Sequence, residues 1–280
     1  MTEATLCFRL YGAMAAWGNP AASGGERPSD LRPGRGAVIG ILSAALGWNH
    51  GYAADIARLS GGVWVASASH GMLRLANDFR TAQSNPRPPR GHAGWATRRE
   101  ALREGNGGTR IGVRQHVEDS LWRVFVAARR GSGIDLKELR DALASPRYLL
   151  CLGRREFPLA LPPSPEIHPG GLMSAASAYA SVPEFGPESD VRGPMKWALD
   201  RLRLILARAD RDGYRLCWDV GFPGAPQAGQ ARPVVDDPAS RDAWRFRPRL
   251  EAWATVRPEA PAEMKFDSDA SGFFDAADEE

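Results

Sequence analysis

The chain has 280 residues, a formal net charge of +3 and a sequence pI of about 8.9, so it can form one large domain or two small ones. No run of eighteen apolar residues and no N-terminal signal-peptide pattern is present, and we expect a cytoplasmic protein without a membrane partner. Cys7, Cys151 and Cys217 are far apart and form no C-x-x-C pair. This spacing gives no sign of a disulfide framework or a zinc site, and we predict no metal and no cofactor.

Charge is distributed unevenly along the chain. Residues 259–280 contain eight acidic side chains and the single Lys265, so this tail carries −7 and the rest of the chain +10. Between Arg80 and Arg130 there are eleven arginines and four acidic residues. A basic body predicts a polyanionic partner, and guanidinium groups suit bidentate phosphate contacts. We predict that the acidic tail is disordered.

The N-terminal region predicts a strand, a loop and a helix. Leu6, Phe8 and Leu10 alternate with polar or small residues, as in a half-buried strand. Apolar residues recur with helical spacing from Val38 to Leu46, and Gly47 is suited to end that helix.

Basic and aromatic residues around these elements are candidate contacts to phosphates or nucleotides. Arg27, Arg32 and Arg35 precede the helix and predict a phosphate-binding edge, unless they belong to a solvated loop with incidental arginines. Arg9 lies on the second face of the strand. Trp17 either stacks on a nucleotide or packs in the core under the turn, and the core interpretation is favoured.

Further elements follow in chain order. We predict a short helix over 52–62, a strand pair over 63–80 that turns at His70-Gly71, and a long loop over 81–108. Residues 110–130 predict a strand buried on both faces, and Asp135 caps the next helix. Residues 146–161 predict an apolar strand that Gly153, Arg154 and Arg155 interrupt. This order matches the split βαβ arrangement that RRM modules also use.

The C-terminal part is less regular. Residues 164–193 are rich in Ser, Pro, Gly and Ala and predict a linker. Residues 195–213 predict an amphipathic helix with Trp197, Leu202, Leu204 and Ile205 on or near one face. Two strands are predicted after it, over 214–222 and 242–256.

Five stretches resemble the CasD family, the fifth family of CRISPR-associated (Cas) proteins. They are FRLYGAMAAWG, RPSDLRPGRGAVIGILSAALG, NDFRT, RIGVRQHVEDSLWRVFV and PRYLLCLGRREFPL. They occur in the family's order over residues 6–161, and the last is the most specific. The resemblance implies an α+β fold, with a ferredoxin-like palm of the RRM and RAMP type, an inserted thumb hairpin and a C-terminal β-rich extension.

The same resemblance implies domain boundaries. The palm would comprise residues 1–163 and the thumb about 74–110. The extension would comprise 164–258. An insertion at about 183–213, with its helix at about 194–210, and the acidic tail 259–280 depart from the family's usual pattern.

The implied function is that of a non-catalytic RNA-binding subunit of a type I-E CRISPR Cascade complex, which serves antiviral defence. It would grip the 5′ handle of the CRISPR RNA (crRNA), cap the backbone filament and dock the large subunit. The predicted partners are the crRNA 5′ handle, the Cascade backbone subunit, the large subunit and, through the complex, target DNA. The candidate RNA-binding residues are Arg9, Trp17, Arg27, Arg35, Arg80, Arg110, Arg114, Arg147, Tyr148, Arg154 and Arg155.

Two other functions remain open. Type I-C relatives include a metal-independent endoribonuclease that processes precursor crRNA, and such cleavage needs a general base, an acid and a cation near the phosphate. His116 beside Arg114, or His70 or His92, offers parts of that set, although a lone histidine at a strand edge is more often structural. We therefore predict no catalytic residue. A generic RRM-like protein outside CRISPR systems is the third interpretation.

Overall fold

One large sheet organises the protein in the structure, which is a computed structural model. The structure describes residues 3–18, 26–83, 90–91, 94–103, 108–179, 193–227, 230–240 and 245–257. The helices are α1 (Arg35–Leu46), α2 (Ala53–Gly62), α3 (Arg98–Arg103), α4 (Leu136–Ala144), α5 (Leu172–Ala178) and α6 (Pro194–Asp212), with a 3-10 turn at His50–Tyr52. The strands are β1 (Ala4–Ala15), β2 (Trp17–Gly18), β3 (Glu26–Arg27), β4 (Ser29–Asp30), β5 (Val63–Gln83), β6 (Thr109–Ala128), β7 (Glu166–Pro169), β8 (Tyr214–Asp219), β9 (Gln230–Ser240) and β10 (Arg245–Val256).

The strand order in the sheet is β7-β1-β6-β5-β8-β10-β9. Every neighbouring pair along this order is antiparallel. The short β3 also joins the sheet by pairing in parallel with β6, and β2 and β4 form a separate two-stranded sheet. The predicted α+β class is confirmed.

Several elements with local sequence signals form as predicted. α1 ends at Gly47, whose φ of 80° is the left-handed conformation that favours glycine. β1 also forms with Phe8 and Leu10 buried, but Arg9 and Tyr11 are buried too, so the strand is not half-buried as predicted. Asp135 caps α4, because its Oδ1 accepts the Lys137 backbone N–H at 2.8 Å.

The predicted strand pair over 63–80 is wrong, because β5 continues through His70-Gly71 and pairs with β6 along its whole length. A bulge between Gly71 and Arg74 absorbs the irregular residues, with a φ of 103° at Gly71. The predicted loop over 81–108 accordingly starts later. It also contains α3.

The predicted strand over 146–161 is wrong as well, because only an isolated bridge between Cys151 and Pro158 forms there. The strand that pairs with the outer edge of β1 is β7, which lies in the stretch predicted to be a linker. That stretch also contains α5. The proposed division at residue 163 stays a prediction, and the sheet itself extends across it.

Both faces of the sheet are covered. Phe8, Val124 and their neighbours pack under α1, α2 and α4. On the other face, Cys7 and Phe125 pack under α5, and Tyr11 and Leu121 pack under α6.

The apolar residues of α6 are not all on its buried face, contrary to the prediction. Leu202 and Ile205 are buried, whereas Trp197 and Leu204 are 55% and 57% exposed. The four residues therefore do not share one face.

Three predicted regions lie wholly or partly outside the described residues. They are the tail 259–280, the thumb residues 84–89, 92–93 and 104–107, and the insertion residues 183–192.

Candidate nucleic-acid interface

The long β5–β6 hairpin presents arginines on one face. Asp78 pairs with Arg114, Arg80 with Gly112, and Ala82 with Arg110. Directly opposed residues of an antiparallel ladder point to the same side of the sheet. Arg80, Arg110 and Arg114 therefore share one face of the hairpin with Asp78, and we call this the arginine face.

A fourth guanidinium reaches this region from β3. Beyond the end of β1, the edge of β6 is taken by β3, which places Arg27 next to Arg114. Arg27 is exposed and Arg114 is half-buried. Two arginines on adjacent strands provide neighbouring donors for successive phosphates.

A tight turn brings a fifth guanidinium to the same place. The Leu152 N–H donates to the Phe157 carbonyl at 2.7 Å, and the Phe157 N–H donates to the Arg154 carbonyl at 2.9 Å. Gly153 adopts a φ of 85° and lies so close to the Ala16 backbone that a Cβ would clash with it. The turn lets Arg154 donate from Nη2 to the Gln115 carbonyl of β6 at 3.2 Å. Arg155, the next residue, is exposed.

Two carboxylates accept hydrogen bonds from an arginine of this site but do not neutralise the positive charge of all its arginines. Asp78 accepts a hydrogen bond from Arg80, and Glu156 accepts one from Arg80 Nη2 at 3.0 Å. The bond from Arg80 lowers the pKa of the Asp78 carboxyl below its usual value. Burial first, and then the charge of Arg114, lower the pKa of the Arg154 guanidinium. The excess positive charge favours a bound anion. Sequence reasoning missed Glu156 as a partner, although it follows Arg155 directly.

His116 lies on the arginine face, two residues from Arg114. Its Nε2 is 3.5 Å from Glu118 Oε1, and its ring centroid is 5.8 Å from that of Phe157. The buried Nδ1 has no hydrogen-bond partner among the described residues. His70 is buried beside Arg123 instead, and His92 lies outside the described residues.

The opposite face of the hairpin carries exposed apolar side chains beside the polar Asn77 and Gln115. Leu75, Phe79 and Ile111 alternate with the residues of the arginine face and are exposed. The hairpin therefore offers cationic contacts on one side and an apolar surface on the other.

Three predicted contact residues are buried, and the structure corrects their assignment. Arg9 is fully buried and donates from Nη2 to Ser164 Oγ at 2.7 Å. Trp17 packs edge to face on Trp122 with centroids 5.1 Å apart, so the favoured core interpretation holds. Arg35 is 4% exposed. None of the three offers a surface to RNA in this structure.

The predicted phosphate-binding edge before α1 is wrong because the protein supplies its own anions there. Asp236 Oδ2 accepts the Arg35 backbone N–H at 2.9 Å, where a phosphate oxygen would otherwise bind. The Arg35 guanidinium is paired with Asp219 and Asp237, and Arg32 is paired with Glu251. Of the three arginines predicted for this edge, only Arg27 remains exposed.

Arg147 and Tyr148 form a second exposed position at the C-terminal end of α1. Their N–H groups donate to the Ala45 and Ala44 carbonyls at 3.0 and 3.2 Å. Both side chains are exposed, and no hydrogen bond or ion pair of the described residues joins them to the arginine face. A cation here is stabilised by the end of the helix.

Within the described ranges, no group of three or more His, Cys, Asp or Glu side chains could hold a metal ion. No helix among those ranges is long and apolar enough to span a bilayer.

The family model described as CRISPR-associated protein (Cas_Cas5) matches residues 5–249. This match covers most of the chain, and the protein belongs to that family. The chain is 30% identical over 157 residues to the CRISPR system Cascade subunit CasD of Escherichia coli strain K12. The aligned region covers 56% of this chain and 68% of the relative. The resemblance found in the sequence is confirmed.

One solved structure shares the fold. A chain of a CRISPR RNA-guided surveillance complex has a TM-score of 0.53 and 19% identity, over 92% of this chain and 95% of that one. The crystal structure of a Cas protein has a TM-score of 0.46 and 20% identity, over 92% and 99%.

Proposed function

We propose that this protein is a non-catalytic crRNA-binding subunit of a type I-E Cascade complex and that it grips the 5′ handle of the guide. Its family and its similarity to E. coli CasD support this assignment. The observation that carries the proposal is the convergence of Arg27, Arg114 and Arg154, with Arg80, where β3, the hairpin and the 153–157 turn meet.

We propose that the body of the protein is a ferredoxin-like palm. The antiparallel order β7-β1-β6-β5, with α1 between β1 and β5 and α4 between β6 and β7, supports it. The β5–β6 hairpin would then be the thumb, and β8 to β10 the C-terminal extension. In this proposal the backbone subunit and the large subunit contact the palm and thumb, and target DNA is reached through the complex.

The surface chemistry suits single-stranded RNA. Guanidinium groups on the arginine face would bind phosphates and fix the register of the strand. Exposed apolar side chains such as Phe79, which is 63% exposed, offer stacking surface for unpaired bases. One hairpin would therefore provide backbone affinity and base contacts on its two faces.

Salt dependence of handle binding tests the proposal. Apart from the separate position at Arg147 and Tyr148, the candidate arginines that are not fully buried are Arg27, Arg80, Arg110, Arg114, Arg154 and Arg155. At about 0.7 per phosphate contact on a single strand, six contacts predict a log-log slope near −4. Arg114→Ala with Arg154→Ala should weaken binding and, with four contacts left, reduce the slope to about −2.8.

The matched control removes two exposed arginines elsewhere. Arg58→Ala with Arg140→Ala changes the charge equally on α2 and α4 and should leave both affinity and slope unchanged. Equal slopes for the two double variants would overturn the assignment of the arginine face. Equal affinity for handle RNA and for an unrelated strand of the same length would contradict handle recognition.

A metal-independent endoribonuclease is the second candidate function, and the position of His116 beside Arg114 and Arg154 favours it. A general base needs a neighbouring cation on the phosphate, and both groups are present on one face. Incubation of the pure protein with repeat RNA in EDTA separates the two functions. A discrete cut that disappears in His116→Ala would establish the enzyme, and intact RNA would support the binding subunit.

A further inference from the structure

The outward face of α6 carries an exposed apolar pair. Trp197 and Leu204 are seven residues apart, which places them about 10 Å apart along one side of the helix. The inward side is already occupied, because Ala198, Leu202 and Ile205 pack against the sheet. Large apolar side chains exposed on the same ridge mark an interaction surface.

Basic side chains interleave with this pair. Arg201 and Arg208 follow Trp197 at helical spacings of four and eleven residues. Asp200 also lies between Trp197 and Leu204 and is paired with Arg203, so this side of the helix is apolar with a net basic charge. Arg201 is held in place by Asp119, whose Oδ2 accepts from Nε at 2.6 Å. Over the whole helix, five basic residues exceed three acidic ones.

The C-terminal segment begins beside this helix. β10 ends at Val256, which pairs with Tyr214, two residues after the end of α6. Arg257 lies over Gly213, with its Cγ 3.1 Å from the position of a Cβ there. Residues 258–280 therefore start at the C-terminal end of α6. Extended, 23 residues span up to about 75 Å, whereas α6 is about 28 Å long, so the segment can follow the whole helix.

The composition of that segment complements the ridge. It contains Phe266, Phe273 and Phe274 among eight acidic residues, and residues 259–280 carry −7. An aromatic and acidic segment matches an apolar and basic ridge in both respects. Because the two are covalently joined, the effective concentration of the segment at α6 is in the millimolar range, which favours it over a separate partner.

We propose that residues 258–280 bind back along the outward face of α6, with phenylalanine side chains on Trp197 and Leu204 and carboxylates beside Arg201 and Arg208. This assigns an intramolecular docking surface to α6. It does not depend on the RNA-binding proposal, because the ridge and the arginine face have no residue in common.

Photo-cross-linking in the full chain tests the proposal. A photoreactive benzoylphenylalanine in place of Leu204 should cross-link to residues 259–280, identified by mass spectrometry of the digest. The same group in place of Ile111, an equally exposed apolar position on the hairpin, is the matched control and should not reach the segment. Replacing Phe266, Phe273 and Phe274 by Ser in the same chain should abolish the cross-link from position 204.

Tryptic cleavage after Lys265 gives an independent measurement on the unmodified chain. Docking should slow the release of residues 266–280, and Trp197→Ser with Leu204→Ser should accelerate it about tenfold if more than nine-tenths of the molecules are docked. Cross-links from position 204 to a second copy or another part of the chain would overturn the proposal. Equal cross-linking from position 111, or a cleavage rate unaffected by the α6 substitutions, would also overturn it.

Discussion

Replacing Asp236 by Asn tests whether the protein's own carboxylate closes the N-terminus of α1. Asp236 accepts three N–H bonds, from Arg249 Nε at 2.6 Å, Arg249 Nη2 at 2.8 Å and the Arg35 backbone at 2.9 Å. Burial acts to raise the pKa of Asp236, but the hydrogen bonds and charge of Arg249 outweigh it and lower that pKa below its usual value. The structure therefore favours the charged carboxylate at this position.

Asp236→Asn removes one of the three carboxylates that pair with Arg249 in a largely buried position, and Asp219 and Glu251 remain. Breaking a buried ion pair from one side costs about 3–5 kcal/mol, and Asn keeps one acceptor, so we expect a loss of about 3 kcal/mol of unfolding free energy. Urea unfolding followed by circular dichroism measures it.

Asp141→Asn is the matched control, because Asp141 forms an exposed ion pair with Arg140 and should contribute less than about 1 kcal/mol. If Asp236→Asn lowers the unfolding free energy no more than Asp141→Asn does, the charged Asp236 carboxylate does not stabilise the N-terminus of α1. A gain in RNA affinity without loss of stability would instead restore the phosphate-binding edge before α1.

Three further predictions concern a buried histidine, two glycines with positive φ and a buried tryptophan. Burial first, and then Arg123, hold the pKa of His70 well below its usual value, so the unfolded chain binds a proton there more readily than the folded protein. The unfolding free energy should therefore fall as pH drops below about 6.5, by up to about 1.4 kcal/mol per pH unit. His70→Gln should remove that pH dependence, whereas His50→Gln should not. Gly131→Ala, at a φ of 77° in open space, should cost about 1–2 kcal/mol, whereas Gly153→Ala should cost more and weaken RNA binding because its Cβ meets the Ala16 backbone. Trp17→Ala should lower the unfolding free energy by about 3–5 kcal/mol while handle affinity of the folded protein stays constant; a binding loss of about 1–3 kcal/mol would indicate base stacking.

Elements with their signals in neighbouring residues could be predicted from the sequence. The alternation in β1, the apolar stripe of α1 and the cap at Asp135 each depend on a few adjacent side chains. β5 could not be predicted, because His70-Gly71 has the composition of a turn and becomes a bulge only through pairing with β6. Likewise β7 has four residues and forms at the free edge of β1.

The candidate site likewise combines features set by neighbouring residues with features set by residues far away in the sequence. Arg35 and Arg154 both follow a glycine in a basic stretch, and sequence alone treats them alike. Their difference comes from distant residues, because the acidic partners of Arg35 follow it by about two hundred positions on β8 and β9. Arg154 meets β6 and the half-exposed Glu156 instead. Which arginine can bind RNA is therefore decided by tertiary pairing.

The burial of Arg9 has a consequence for how this fold can bind RNA. RRM modules use the open face of the sheet, where aromatic side chains stack on bases. Here the corresponding face carries Arg9, Arg123 and His70, and α5 packs over it, with Arg123 donating to His70 Nε2 and to the Ala176 carbonyl at 3.0 Å each. RNA cannot reach that face while α5 is in place. The accessible guanidinium groups lie instead where β6 extends beyond β1, so an anionic ligand is directed to the base of the hairpin and away from the centre of the sheet.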